Sequence, residues 1–323
     1  MRAIQVQEFG GPEVLVLRQV PDPVAGPGQV VVRLAAADVI FLDTLLRGGW
    51  GGEIFPLELP YVPGTGGAGT VTSVGDGVDP AWVGRDVVAH GPGYAELLAS
   101  DLDDVVPVPQ GVGLAEAAAL MTDGVTALRL VRHAPAAGGR APWVLVAAAA
   151  GGAGSLLVQL LHDAGLRVIG AARGERKLDL ARELGAEVAV DYTQAGWVER
   201  VRAATGGTGV DLALDGAGAA LGPAVFDTVA DGGRFVTYGT SGGQFTTVDP
   251  HLAGSRRVEV INELAAGTPD PALVRALLVR VLDLAAQGRI RPAVGATYAL
   301  ADASAAHVAL AERATVGKSL LLI

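Results

Sequence analysis

The segment Trp143–Leu161, WVLVAAAAGGAGSLLVQLL, restricts the fold of this chain more than any other stretch. It is long and apolar enough to pass for a membrane span, yet it breaks into three parts. WVLVAA is an apolar strand, the following small residues make a turn, and Ala153, Leu156, Leu157, Leu160, Leu161 and Ala164 then recur at helical spacing. An apolar run of strand length belongs in a parallel sheet covered on both faces. The alternation continues beyond it. LRVIGAA reads as a second strand, ERKLDLARELG as a helix stopped by Gly185, and AEVAVDY, VDLALDGAG and GRFVTYGT as further strands with helical stretches between. Such alternation specifies an α/β, doubly wound parallel sheet.

The first third of the chain has a different texture. QVVVRLAAA, AGTVTSVGDGV and GRDVVAH are short β-branched runs set between Gly, Pro and Asp turn signals. VPVPQGVG closes that region, and GLAEAAALMTDGVTALRLVRHA follows as a helix-prone stretch. Two more helices are expected around Leu273–Gln287 and Ala301–Glu312, then a last strand, KSLLLI. At 323 residues there is room for two domains, each with its own core. A net charge of -10 without a dense Lys/Arg cluster argues against nucleic acid as a main partner. There is no cysteine, which removes disulfides, thiol nucleophiles and Cys-type zinc sites. His90, His133, His162, His251 and His307 lack metal-ligand spacing and read as solvated or packed side chains. The N-terminus lacks the apolar stretch of a signal peptide, so a cytoplasmic protein without membrane partners is expected.

The small-residue turn after the first parallel strand has two readings. With 46 glycines in the chain, Gly pairs alone carry little weight. Ala149, Gly151 and Gly154, however, have the spacing of a dinucleotide fingerprint with Ala in place of its first Gly, and they open a helix directly after a strand. In that setting Gly151 lets the backbone approach a pyrophosphate, Gly154 lets helix and strand pack closely, and free N–H groups hold phosphate. The second strand separates the two nicotinamide cofactors. NAD sites place an acid near its tip, whereas this one ends in ARGERK, with Arg173, Arg176 and Lys177. Arg176 alone reads as part of a solvated turn. Lys177 is one of only two lysines in the chain, which favours a specific role and NADPH over NADH.

VLVAAAAGGAGSLLVQLLHDAGLRVIGAARGERKLDLARELGAEVAVDY resembles the cofactor domain of the medium-chain dehydrogenases/reductases. Within that superfamily it is most similar to the zinc-independent quinone oxidoreductases, whose AxxGxxG loop is matched by Ala148, Gly151 and Gly154. MRAIQVQEFGGPEVLVL, YVPGTGGAGTVTSVGDGV, GGRFVTYGT and TVGKSLLLI extend the resemblance over nearly the whole chain. It implies a mainly-β, GroES-like catalytic domain over 1–117, a Rossmann NADP(H)-binding domain over 118–263, and a return to the first domain over 264–323. The cofactor is expected in the cleft between them. By the same resemblance Ala148, Gly151, Gly152, Ala153 and Gly154 cradle the cofactor, Lys177 and Tyr192 fall at its 2′-phosphate and adenosine end, where the basic strand tip adds Arg173, and Tyr238, Gly239 and Lys318 complete its contacts. Thr126 falls near the nicotinamide. A homodimer joined through the edge strand RRVEVINEL is implied as well.

The departures from the family are informative. Thr65-Gly66 stands where zinc-dependent relatives have His-Glu, and Ile40 where they have a zinc cysteine, so no catalytic zinc is expected. Zinc-free relatives read VNFxDxxxR where this chain has VIFLDTLLR. Asp43 and Arg47 are kept, but the Asn is Ile40, and Leu45 and Leu46 replace a common Tyr. Ile40, Leu45 and Thr65 are therefore expected to line a substrate pocket of reduced polarity. Asp43 is either a structural hydrogen-bonding residue or an acid, and Thr126 either offers a hydroxyl to the site or packs a helix. Three functions fit: NADPH-dependent reduction of a quinone or activated C=C, a biosynthetic step such as polyketide enoyl reduction on an apolar intermediate, or NADPH binding without turnover.

Overall fold

The computed structural model describes residues 1–52, 56–136, 140–263, 267 and 269–323, and it divides into two compact units. Unit 1 comprises Met1–Val125 and Pro271–Ile323; unit 2 is Thr126–Asp270.

Unit 1 opens with a two-stranded antiparallel sheet of β1 (Arg2–Gln5) and β2 (Val16–Gln19). The long strand β3 (Gln29–Val39) runs into helix α1 (Phe41–Arg47). Then come β4 (Gly66–Val74), β5 (Asp86–His90), β6 (Leu97–Asp101) and β7 (Val105–Pro107), built mostly of small and aliphatic residues. The helix-prone stretch that follows forms two helices instead of one, α2 (Leu114–Leu120) and α3 (Asp123–Val131). The chain leaves unit 1 at Val125, within α3, and not at residue 117, because α2 packs on β3 and β4.

Unit 2 contains β8 (Trp143–Ala147), α4 (Gly152–Asp163), β9 (Arg167–Ala172), α5 (Glu175–Glu183), β10 (Val188–Asp191) and α6 (Trp197–Ala204). It continues through β11 (Val210–Asp215), α7 (Gly222–Asp227), β12 (Val229–Thr237), α8 (Pro250–Ser255) and β13 (Glu259–Asn262). The six strands pair in parallel in the order β10-β9-β8-β11-β12-β13. Leu145, Ile169, Val190, Val225, Phe226 and Phe235 are buried in its core, where Phe226 and Phe235 meet edge to face. The candidate edge strand is β13, which pairs only with β12 among the described residues; Leu264, the last residue of RRVEVINEL, lies outside them.

The return segment supplies α9 (Pro271–Ala286), β14 (Val294–Ala299), α10 (Ala303–Ala311) and β15 (Lys318–Leu322). β15 does not add to the rim of the unit 1 sheet. It lies between β14 and β3 in the order β14-β15-β3-β4-β5-β7, with β6 also on β3. No helix of the described residues is long and apolar enough to cross a membrane, and Trp143–Leu161 is a strand and a helix.

Candidate functional site

In an open parallel sheet, ligands gather at the carboxyl ends of the strands where the strand order reverses. That point lies between β8 and β11. Five loops leave this edge: Ala148–Gly151 after β8, Arg173–Gly174 after β9, Tyr192 after β10, Gly216–Gly218 after β11 and Tyr238–Gly239 after β12. The residues the sequence selected for the cofactor therefore share one edge of the sheet, apart from Lys318.

After β8 the chain turns through Ala148 in the left-handed region, at φ 60°. Gly151 N–H donates to Ala148 O at 2.9 Å and Ala149 N–H to Ala171 O at 3.0 Å, which ties the turn to β9. Gly151 caps α4 with extended backbone. A Cβ on Gly154 would lie 2.2 Å from Ala148 O and 3.1 Å from Ala149 Cα, so only glycine lets α4 approach the turn. The first N–H groups of α4, from Gly152, Ala153 and Gly154, have no intrahelical acceptor and suit a phosphate.

Gly174, at φ +81°, donates its N–H to Asp191 Oδ2 at 3.0 Å, and Thr193 donates to Asp191 Oδ1 from both N–H and Oγ1. Burial raises the pKa of Asp191, but these bonds outweigh it and hold the carboxyl below its ordinary range. Arg173 is exposed, and Lys177 is half-buried in the first turn of α5. Sequence reasoning did not single out Asp215. This buried side chain accepts from Ala217 N–H and Gly218 N–H, each at 3.0 Å, and from Thr246 Oγ1, and so shapes the loop after β11. Its only signal is an Asp-Gly pair at the end of an apolar strand. Gly239 is required by contact, since a Cβ there would meet Gly216 O at 2.5 Å, and a Cβ on Gly216 would displace the Tyr238 hydroxyl, which it would meet at 2.5 Å.

Lys318 needs correction as a cofactor residue. It lies in unit 1, its side chain is 4% exposed, and its Nζ is paired with Asp38 and with Asp123 at 2.8 Å. Burial works against the ammonium, but Asp123 and Asp38 more than restore it and raise its pKa. A donor buried between two carboxylates is committed to them. For Asp38, burial raises the pKa, Lys318 opposes the rise and Asp123 adds to it.

Asp43 is likewise a structural residue and not an exposed acid. It is 3% exposed, and its Oδ2 accepts from Ile40 N–H at 3.1 Å and from the Tyr94 hydroxyl at 3.0 Å. The first bond places Asp43 at the third position of α1, where a carboxylate satisfies a free N–H at the helix start. Burial pushes its pKa up to about 7. Arg47, at the other end of α1, accepts from Gly10 N–H at its backbone oxygen and donates from Nε to Gly10 O, each at 3.1 Å. Ile40 and Leu45 flank this scaffold and are half-buried, as are Thr65 and Thr126. The Thr65 and Thr122 hydroxyls lie 3.3 Å apart. A cavity of about 210 Å³ opens beside α1, lined by Phe9, Leu46, Gly49, Trp50, Gly52, Pro56 and Leu57. Among the described residues no group of three or more His, Cys, Asp or Glu side chains is placed to hold a metal.

Comparison with known proteins agrees with this architecture. Residues 26–129 match the alcohol dehydrogenase GroES-like domain, and residues 152–272 match the family described as zinc-binding dehydrogenase. A quinone oxidoreductase from Pseudomonas aeruginosa is 33% identical over 328 residues, with 99% of each chain covered. A 2-haloacrylate reductase from a Burkholderia species is 31% identical, covering 99% of this chain and 98% of its own. A mycobacterial protein solved in complex with NADPH is 35% identical and superposes over 100% of both chains with a TM-score of 0.90. With a GroES-like domain, a six-stranded parallel domain and full-length likeness to such relatives, the chain belongs to the medium-chain dehydrogenase/reductase superfamily, among its quinone oxidoreductase-like members.

Proposed function

We propose that this oxidoreductase uses NADPH to reduce a quinone or an activated C=C bond without zinc. The observation that carries the reading is the edge of the unit 2 sheet, where a glycine-dependent turn and helix start stand beside the loop of Arg173 and the first turn of α5 with Lys177. When bound, NADPH supplies a hydride to an electron-poor carbon of the acceptor. The free N–H groups at the start of α4 hold the pyrophosphate, and Arg173 and Lys177 hold the 2′-phosphate by charge-assisted bonds. Tyr192 borders the adenosine end, Tyr238 and Gly239 the cofactor after β12, and Thr126 the nicotinamide. Asp43, hydrogen-bonded inside unit 1, is not the proton donor; water or a weak acid supplies the proton. The test is NADPH oxidation with a simple quinone in the presence of a chelator. Turnover that persists supports the reading. Stoichiometric zinc lost together with activity contradicts its metal-free part, and NADPH binding without turnover favours a binding protein.

Charge-assisted bonds to the 2′-phosphate contribute about 1.5–3 kcal/mol each. Lys177→Ala is therefore expected to weaken NADPH binding by roughly tenfold or more and to leave NADH binding nearly unchanged. Titrating both cofactors against both proteins checks this, and an equal loss for the two would remove Lys177 from the 2′-phosphate.

A second reading, reduction of a specific apolar biosynthetic intermediate, is favoured by Ile40. A branched hydrocarbon cannot polarise a carbonyl, but it buries apolar substrate surface at about 25 cal/mol per Å². Bulky, already activated acceptors should be preferred to small polar enones. Ile40→Asn should raise kcat/KM for a small enone and lower it for a large apolar acceptor. An equal fall for both would make Ile40 ordinary packing. We also read the protein as a cytoplasmic homodimer joined through β13, whose Val260 is exposed; light scattering that finds a monomer would dismiss the dimer.

A further inference from the structure

Unit 1 contains a buried chain of polar groups that runs between two residues of α1 by way of two other parts of the fold. Arg47 Nη1 lies 3.1 Å from His307 Nδ1, His307 Nε2 lies 2.9 Å from the Tyr94 hydroxyl, and that hydroxyl lies 3.0 Å from Asp43 Oδ2. Asp43 Oδ2 accepts in turn from Ile40 N–H. His307 is on α10, and Tyr94 is in the connection between β5 and β6. Both are fully buried and meet edge to face, with ring centroids 5.7 Å apart. A Cβ on Gly64 would lie 2.6 Å from the Tyr94 ring, so the ring sits directly on that glycine.

With Asp43 ionised, the donors and acceptors permit only one order. A guanidinium has no acceptor, so Arg47 donates and His307 Nδ1 accepts. Neutral imidazole then carries its proton on Nε2 and donates it to the Tyr94 oxygen. The single Tyr94 O–H is left to donate to Asp43. Burial, with Arg47 beside the ring, lowers the His307 pKa to about 3 and keeps the ring neutral. Reversal would need Arg47 to accept a hydrogen bond, which it cannot do.

We propose that His307 and Tyr94 are positioning residues: through the one-way relay Arg47 to His307 to Tyr94 to Asp43 they fix both ends of α1 and so hold Ile40 and Leu45 as the acceptor wall. The proposal rests on the reading above that these two side chains meet the acceptor. The relay joins the two ends of a seven-residue helix to α10 and to the loop carrying Tyr94. Because Arg47 Nε also holds Gly10 O, the relay reaches the loop that carries Phe9 at the neighbouring cavity.

The proton order and its effect on substrate are tested separately. Nitrogen-15 NMR of the full chain, with the His307 signal assigned by its loss in His307→Gln, should show a neutral ring protonated on Nε2 at neutral pH. An Nδ1-protonated or charged ring overturns the relay whatever the enzyme reduces. For the second arm, His307→Phe keeps an aromatic ring but breaks both bonds, whereas His307→Gln can accept from Arg47 through its oxygen and donate to Tyr94 through its nitrogen. With a large apolar quinone as probe, His307→Phe and Tyr94→Phe should raise KM roughly tenfold, with kcat and NADPH affinity little changed, and His307→Gln should restore most of the loss. A glutamine variant as impaired as the phenylalanine variant, or a phenylalanine variant with wild-type KM, overturns the positioning role. A wild-type protein that reduces no acceptor defeats the functional reading and leaves the NMR result to judge the relay.

Discussion

Lys318→Met is expected to lower the stability of unit 1 by about 3–5 kcal/mol at neutral pH, because it leaves Asp38 and Asp123 facing each other without their cation. The loss should depend on pH. Asp38 has a folded-state pKa above its ordinary 3.8, and losing Lys318 removes the charge that opposes this rise. Between the unfolded and folded pKa values the folded variant binds the proton more tightly than the unfolded chain, so stability falls as pH rises through that window. The Lys318→Met deficit should therefore shrink in mild acid, and adding Asp38→Asn should recover part of it at neutral pH. A chain of two units need not unfold in one step, so hydrogen exchange of peptides from β3 and β15 is the suitable measurement. A loss below about 1 kcal/mol would show that the site relaxes or takes in water when the charge is removed.

Gly154→Ala and Gly151→Ala should have different consequences although they sit three residues apart. The new Cβ at 154 would meet the backbone of Ala148 and Ala149, which has no flexible end to yield. Lifting α4 from the turn is expected to cost unit 2 about 1–3 kcal/mol and to carry the phosphate-binding N–H groups out of place. At 151 the backbone is extended and the only close atom is Ala148 O at 3.3 Å, a tight contact that a shift of a few tenths of an ångström relieves, so alanine strains the fold far less there than at 154. It occupies the space through which a pyrophosphate would approach. Gly151→Ala should thus keep its melting temperature within a degree or two and lose NADPH affinity by roughly tenfold. If it binds NADPH as the wild type does, the phosphates do not lie against residue 151.

Unit 2 was legible because its signals are local. A strand of apolar residues, a glycine with a positional reason and a helical repeat all fall within twenty residues, and β8, α4 and β9 lie where those signals put them. The fingerprint was blurred at one position. Spacing alone aligned the missing first glycine with Ala149 and the family pattern aligned it with Ala148, and it is Ala148 that adopts the left-handed conformation. Unit 1 was less legible because its polar groups find partners far along the chain. Lys318 reads, by family resemblance, as a cofactor residue until β15 brings it beside Asp38 on β3 and Asp123 at the start of α3. His307 was one of five scattered histidines, and nothing within α10 indicates that Tyr94, 213 positions away, completes its bonding. The break between α2 and α3 has a related origin, since Asp123 begins a helix while its carboxylate is held by a residue from the last strand.

The place of β15 has a consequence for synthesis on the ribosome. Unit 2 is one continuous segment, so it can fold as soon as it emerges. Unit 1 is begun first and finished last, because β3 is paired with β15 only after the whole of unit 2 has been made. In the interval Ala36–Val39 present an unpaired strand edge, and Asp38 lacks its cation. Open edges of this kind template pairing with other chains. The growing chain is thus most exposed to aggregation through β3, made before its partner, and a chaperone that shields unit 1 until β15 arrives should raise the yield more than one that acts on unit 2.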